Sequence, residues 1–207
     1  MISKTRMIKH RVNTIDELKS IQDLSLGCEI DVRSDINKNK ALYLSHDPWV
    51  KGDDFLGWIK EFSEKKMTGP LVLNTKEDGL EEELIEQLDQ HNIKNYFFLD
   101  TIIPTLVRLS LKEGLRHFGV RLSKYESLET ILNFKGAVEW IWLDCFEAIP
   151  LGYIEDIREK MGAKLCLVSP ELQGGKIDSI QGFYKWARGA DAICTKHPEV
   201  WSHILLN

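Results

Sequence analysis

The feature that most constrains the fold of this chain is an alternation that runs its whole length. Eight short runs rich in β-branched, aromatic and aliphatic residues are separated by stretches with helical spacing of apolar positions. The runs fall near Met7–His10, Cys28–Arg33, Pro70–Lys76, Tyr96–Asp100, Phe118–Leu122, Glu139–Cys145, Lys164–Ser169 and Asp191–Thr195. Leu42–His46 reads as an extra short strand folded back on the second one, with Asn37-Lys38-Asn39-Lys40 as its turn. Thr14-Ile15-Asp16-Glu17 fits a capping box, which opens a helix reaching to about Asp23. Helices are expected over Asp53–Glu64, with Phe55, Trp58, Ile59 and Phe62 on one face, and over Leu80–His91. Others are expected near Pro104–Lys112, Ser127–Asn133, Gly152–Lys160, Ile177–Ala187 and Glu199–Leu205.

No fixed-period repeat and no Pro-, Gly- or Ser-rich linker divides the chain, so residues 1–207 read as one domain. Eight βα units in that length predict a small α/β fold, the (β/α)8 TIM barrel. An open doubly wound sheet would carry a Gly-rich turn after its first strand, and none is present. A barrel predicts that function gathers at the C-terminal ends of the strands. Read in order, those tips are His10/Arg11, Glu29/Asp31, Asn74/Lys76, Asp100, Arg121, Asp144, Ser169/Glu171 and Thr195/Lys196.

The formal charge of -5 argues against a general nucleic-acid binder, which needs a basic face to neutralise phosphates. A small anionic substrate needs only a few local cations. No apolar stretch follows the basic residues near the N-terminus, and no run of membrane-spanning length occurs, so a cytoplasmic protein is expected. Cys28, Cys145, Cys166 and Cys194 all sit in apolar runs without metal-ligand spacing and read as small buried hydrophobes of a reducing compartment. No protein partner is evident.

The chemistry-bearing residues concentrate in the first quarter. Glu29 and Asp31 alternate across Ile30, so on a strand both carboxylates face one side, within reach of one cation. Carboxylates so placed repel one another, and an unpaired buried charge is costly, which favours a cation over ion pairs with barrel lysines. His10 and His46 close the apolar runs on either side. Two imidazoles flanking a carboxylate-bound divalent ion can act as base and acid in phosphodiester cleavage, while the metal holds a non-bridging phosphate oxygen.

At these residues the chain resembles the glycerophosphodiester phosphodiesterase-like, or PLC-like phosphodiesterase, superfamily. The resemblance rests on His10-Arg11 at the first strand, Glu29-Ile30-Asp31-Val32 at the second, and Ser45-His46-Asp47-Pro48 after the short strand. Leu73-Asn74-Thr75-Lys76 and Thr195-Lys196-His197-Pro198 stand where the family has its third-strand and last-strand motifs. The resemblance implies a metal-dependent phosphoric diester hydrolase with a divalent cation, Mg2+ or Ca2+, and a small or lipid-derived phosphodiester substrate. It implies Glu29 and Asp31 as metal ligands, with Asn74 at the position of a third carboxylate; Asn74 either ligates the metal through its oxygen, holds a water ligand or satisfies backbone. His10 and His46 become the acid–base pair, and Arg11 and Lys76 clamps for phosphate. The stretch between Asp47 and the third strand holds about one helix, which matches a compact member without an insertion domain.

Other tip residues are open to two readings. Lys76 and Arg121 either clamp phosphate, Arg121 in bidentate fashion, or pair with Asp100 or Asp144. Asp144, Glu171 and Lys196 are expected to face substrate from the same rim. Trp140 and Trp142 share one strand face, and packing outward against helices is the simpler reading; substrate stacking is the other. Leu172-Gln173-Gly174-Gly175 is either a lid or a turn. The run Glu81-Glu82-Glu83 reads as a solvated helix face. Two rival functions remain: a non-catalytic barrel binding a phosphorylated metabolite, and a metal-independent phosphodiesterase that forms a cyclic phosphate.

Overall fold

The computed structural model of the chain describes residues 5–35, 41–146 and 151–206. Ten strands form one sheet. They are β1 (Arg6–Lys9), β2 (Gly27–Asp35), β3 (Ala41–Leu44), β4 (Asp53–Asp54), β5 (Leu71–Thr75), β6 (Tyr96–Leu99), β7 (Gly119–Leu122), β8 (Trp140–Asp144), β9 (Lys164–Val168) and β10 (Ala192–Thr195). The parallel pairs β1–β2, β2–β5, β5–β6, β7–β8, β8–β9, β9–β10 and β10–β1 curl the sheet almost into a ring. A single parallel bridge, Phe98 to Phe118, closes it between β6 and β7. The result is an α/β barrel. The outer half of β2 leaves the ring and pairs antiparallel with β3, which in turn pairs with β4. The expected turn at Asn37–Lys40 lies outside the described residues.

The helices are α1 (Ile15–Ser20), α2 (Phe55–Glu64), α3 (Glu81–Gln90), α4 (Ile103–Leu106), α5 (Leu128–Leu132), α6 (Leu151–Met161), α7 (Tyr184–Ala187) and α8 (Pro198–Leu206). The capping box forms as expected: Thr14 Oγ1 accepts the Glu17 N–H, and the Glu17 carboxylate accepts the Thr14 N–H, both at 3.1 Å. In α2, Asp54 caps the Gly57 N–H at 2.7 Å, and Phe55, Trp58, Ile59 and Phe62 are all buried.

Three local expectations are corrected. The stretch around Pro104–Lys112 is α-helical only over α4 and then widens into a π-helical segment, Val107–Lys112. There the Ser110 hydroxyl donates to the Leu106 carbonyl at 2.7 Å, a local bond of the kind that competes with the regular ladder. The Ile177–Ala187 stretch is 3-10 over Ile177–Phe183 before α7. Glu82 and Glu83 are exposed, but Glu81 is only 1 % exposed, because the first turn of α3 tucks it against Thr75 at the tip of β5.

The barrel separates two apolar layers. Most of the core lies between strands and helices. Inside the barrel, Ile8, Val72, Phe97, Leu99, Trp140, Trp142, Cys166, Val168, Ala192 and Cys194 form a second cluster. Trp140 and Trp142 therefore point inward, contrary to the simpler sequence expectation, while Ile141 faces the helices. Alternation fixes which residues share a face but not which face is the interior. Trp140 stacks on Phe97 with ring centroids 4.8 Å apart. Gly119 makes room for that stack, since a Cβ there would lie 3.0 Å from the Phe97 ring. The four cysteines are free and buried, and burial pushes the Cys28 thiol up to about 12. No helix among the described residues is long and apolar enough to cross a membrane.

Candidate active site

The strand tips converge on a cavity of about 220 Å³ at the C-terminal mouth of the barrel. It is lined by His10, Arg11, Glu29, Asp31, His46, Asn74 and Lys76 on one side, and by Arg121, Trp142, Asp144, Phe146, Val168, Leu172 and Gln173 on the other. Register explains the first group. Asp31 lies opposite Asn74 and Glu29 opposite Val72 in the parallel β2–β5 pair, so Glu29, Asp31 and Asn74 all face the interior. Neither carboxylate sees solvent, with Glu29 1 % and Asp31 0 % exposed.

Each carboxylate is held, though incompletely. Arg11 adopts the left-handed backbone (φ 55°), which turns its N–H onto Glu29 Oε2 at 2.8 Å. Such a conformation is costly for a residue with a Cβ and is typical of sites where geometry matters more than comfort. Asn13 brackets Asp31: its amide donates to Asp31 Oδ2 at 2.7 Å, and its Oδ1 accepts the Asp31 N–H at 2.8 Å. Lys76 Nζ lies 2.9 Å from Asp31 Oδ1, and Arg11 Nε lies 3.9 Å from Asp31 Oδ2. Burial first, and the Asp31 charge second, push the Glu29 carboxyl up; the Arg11 N–H, Lys76 and the Asn74 amide pull the other way. Burial is thus the main cause, with the side-chain charges of Lys76 and Arg11 both closest to Asp31.

Several buried polar atoms here make no hydrogen bond, among them Arg11 Nε and His10 Nδ1. Asn74 Oδ1 is buried beside the carboxylates without a hydrogen bond. Among the described residues no group of three or more His, Cys, Asp or Glu side chains forms a metal cluster. The donors that do meet, two carboxylates and an orphaned amide oxygen, are all oxygen, and such a set fits a hard divalent cation with room left for other ligands.

The histidines differ in environment. His10 Nε2 lies 3.7 Å from Glu29 Oε2, and its Nδ1 is buried without a partner. Burial, with the Arg11 charge next and lesser contributions from Lys196 and His46, holds His10 down near a pKa of about 3 against the opposing pull of Asp31. It is therefore a neutral imidazole at neutral pH. His46 sits at the cavity edge, its Nδ1 2.7 Å from Asp47 Oδ1, and that hydrogen bond holds the Asp47 carboxyl below its ordinary value. The His46 segment is tied back to β2 by the Ser45 N–H on the Asp31 carbonyl (3.0 Å), and by Arg33, which donates to the carbonyls of Ser45 and His46.

The opposite wall is more fully paired. Arg121 grips Asp100 through Nε (2.5 Å) and one terminal nitrogen (2.9 Å), and Asp144 through the other (2.6 Å), with its guanidinium 6.0 Å from the Trp142 ring. Asp144 takes a second bond from the Gln173 amide at 2.5 Å. Of the two sequence readings of Arg121, the pairing one describes its geometry. Glu171 lies outside the cavity lining and ties the rim together, accepting from the Ser169 hydroxyl, from Thr195 Oγ1 at 2.5 Å and from the Lys196 N–H at 3.2 Å. Lys196 is exposed and also off the lining, although its charge is felt at His10. Leu172-Gln173 ends a 3-10 turn, Pro170–Gln173, which Gly174 closes in the left-handed conformation (φ 85°). Sequence reasoning assigns no role to Asn13 or Arg33, and takes Gln173 only as part of the lid-or-turn stretch.

No protein-family model and no curated protein sequence matches the chain. Solved structures do. A Galdieria sulphuraria protein assigned as a glycerophosphodiester phosphodiesterase superposes with a TM-score of 0.76 at 13 % identity, over 100 % of this chain and 99 % of that one. A glycerophosphodiester phosphodiesterase from Parabacteroides distasonis gives 0.73 at 13 % identity, over 100 % and 98 %. A phosphodiesterase from Oleispira antarctica, in complex with the product sn-glycerol-3-phosphate, gives 0.73 at 17 % identity, over 98 % and 97 %. The fold is that of the glycerophosphodiester phosphodiesterase barrels, as the sequence resemblance implied.

Proposed function

We propose that the chain is a phosphoric diester hydrolase that uses a divalent cation, Mg2+ or Ca2+, and two histidines on a small or lipid-derived phosphodiester. The observation that carries this reading is the meeting of Glu29, Asp31 and the unpartnered Asn74 Oδ1 beside His10 and His46 at the mouth of the barrel. Glu29, Asp31 and Asn74 would hold the cation. When bound, it supplies positive charge for a non-bridging phosphate oxygen.

The chain's own residues do the rest. Arg11 and Lys76 border the same space and stabilise negative charge building on the phosphoryl oxygens. His10, neutral and with a free nitrogen, takes the proton of the attacking water or substrate hydroxyl. His46 acts in its imidazolium form: Nδ1–H donates to the Asp47 carboxylate, and the second proton, on Nε2, goes to the leaving alkoxide, which leaves His46 neutral. If the nucleophile is a hydroxyl of the substrate, the first product is a cyclic phosphate.

Lys76 favours a second reading. Its ammonium, 2.9 Å from Asp31 Oδ1, already places one positive charge among the carboxylates. With Arg11 it would serve a metal-independent route to a cyclic phosphate.

The test is hydrolysis of bis-p-nitrophenyl phosphate, glycerophosphodiesters and nucleotide-linked diesters with Mg2+, Ca2+, Mn2+ or chelator, beside a His10→Ala control. Metal-dependent turnover lost in the control is expected. Turnover that survives chelator would select the second reading. No turnover with any metal, together with thermal stabilisation by a phosphorylated ligand alone, would make the chain a binding barrel.

A further inference from the structure

Arg33 lies on β2, two residues beyond Asp31, yet it does not line the cavity. Its side chain is only 14 % exposed, and its nearest carboxylate is Glu77, whose Oε1 is 3.9 Å away. The guanidinium spends its donors elsewhere. Nε donates to the Ser45 carbonyl at 3.1 Å and a terminal nitrogen donates to the His46 carbonyl at 3.0 Å. A planar fork set on two consecutive carbonyls fixes both peptide planes, and hence the direction in which the His46 side chain leaves the backbone.

That segment needs fixing. It has no regular structure after β3, residues 47–50 are exposed, and Trp49 is forced into the left-handed region at φ 62°. Besides Arg33, the segment is held by the Ser45 N–H on the Asp31 carbonyl and by the Ser45 hydroxyl on the Asp47 carbonyl (2.9 Å). Glu77, which supplies the counter-charge, is itself fixed by the Ser34 N–H at 3.1 Å and the Ser34 hydroxyl at 2.5 Å. Burying a guanidinium is expensive, and an apolar side chain of similar length would serve a hairpin at least as well. The arrangement earns its place by what it orients.

We infer that Arg33 is a positioning residue for His46, and that β2 thereby sets the spacing between the carboxylate pair and the proton donor. The inference rests on the reading of His46 as the acid. A merely structural staple would affect every substrate alike, whereas a positioning residue for the acid matters only where the leaving group needs a proton.

The experiment compares wild type, Arg33→Met, Arg33→Lys and His46→Ala on bis-p-nitrophenyl phosphate and on a glycerophosphodiester with an alkyl leaving group. The ring resonances of His46 and His10 are followed by NMR in the same variants. Arg33→Met is expected to lower kcat on the alkyl substrate by about tenfold, with KM nearly unchanged and the aryl substrate little affected; Arg33→Lys recovers part of the loss. It is also expected to shift or broaden the His46 ring signals and leave those of His10 in place. Equal losses on both substrates in Arg33→Met, while His46→Ala remains selective, would overturn the inference. If His46→Ala itself hurts both substrates equally, the acid reading has failed. Arg33 is then judged by the ring signals alone, and an unaltered His46 resonance overturns it. Should Arg33→Met not fold, Glu77→Gln removes the counter-charge and is expected to give a smaller loss with the same selectivity; no selectivity there counts against the inference.

Discussion

The two walls of the cavity are built from the same kinds of residue and behave differently. On the β7–β9 side, Arg121 is shared between Asp100 and Asp144, and Asp144 is completed by Gln173. On the β1–β5 side, two buried carboxylates face the Lys76 ammonium and the Arg11 guanidinium, while Asn74 Oδ1 and His10 Nδ1 stay without hydrogen bonds. The first wall is paired as it stands; the second keeps buried polar atoms without a hydrogen bond, which is where the proposed cation would sit. Polar tips alone do not mark a reactive centre. Unpartnered atoms alone do not either, since Trp58, Glu81, Thr101 and His117 carry them too; what sets this wall apart is that Asn74 Oδ1 and His10 Nδ1 lie beside two buried carboxylates in one cavity.

The largest expected difference is in catalysis. His10→Ala is expected to cost on the order of 10²–10⁴ in kcat, the usual range for a positioned base. Arg121→Met on the opposite wall should cost less than about tenfold in kcat but destabilise the fold by about 2–4 kcal/mol, because it strands the buried Asp144. Steady-state kinetics and denaturant melts on the two variants check both. If Arg121→Met proved the more damaging to kcat, the contrast between the walls would be broken.

A smaller effect lies in the pH dependence of stability, measured in chelator. His10 is held near 3 against an ordinary 6.5, so the unfolded chain takes up a proton there that the folded chain refuses. Its contribution is fully present above pH 6.5 and is lost as pH falls toward 3. His10→Gln should therefore gain in Tm relative to wild type as pH is lowered from 7 to 4. Glu29 has the opposite sign. Its carboxyl is raised above the ordinary 4.5, so its ionisation destabilises the metal-free fold as pH rises past that value, and Glu29→Gln should gain relative to wild type toward pH 8. Parallel pH profiles for all three proteins would remove the electrostatic basis of the contrast. The smallest expected effect is Asp100→Asn, which loosens one side of the Arg121 fork at an exposed residue and should change stability by about 1 kcal/mol or less.

The wall around Glu29 and Asp31 was legible in the sequence because its residues are close along the chain. Glu29 and Asp31 share one strand face by alternation alone, and His10 and His46 follow β1 and β3, the two strands that flank β2 in the sheet. The paired wall was not legible in the same way. Arg121 meets Asp100 and Asp144 across three strands, Gln173 arrives from a turn after a fourth, and no local pattern announces such pairings. Trp140 and Trp142 show the same limit from another side: the two-residue period placed them together, yet only ring closure made their face the interior. Arg33 was hidden because its partners are backbone carbonyls, to which any sequence could contribute.

The most direct test of the central claim, that this wall holds a cation, is a Mn2+ titration followed by EPR or calorimetry on wild type, Glu29→Gln and Asn74→Asp. Mn2+ serves as a spectroscopic stand-in for a hard divalent ion. One saturable site is predicted in wild type, lost or much weakened in Glu29→Gln, and tightened in Asn74→Asp, where a third carboxylate replaces the amide. No saturable binding to wild type, or binding indifferent to Glu29→Gln, would contradict it.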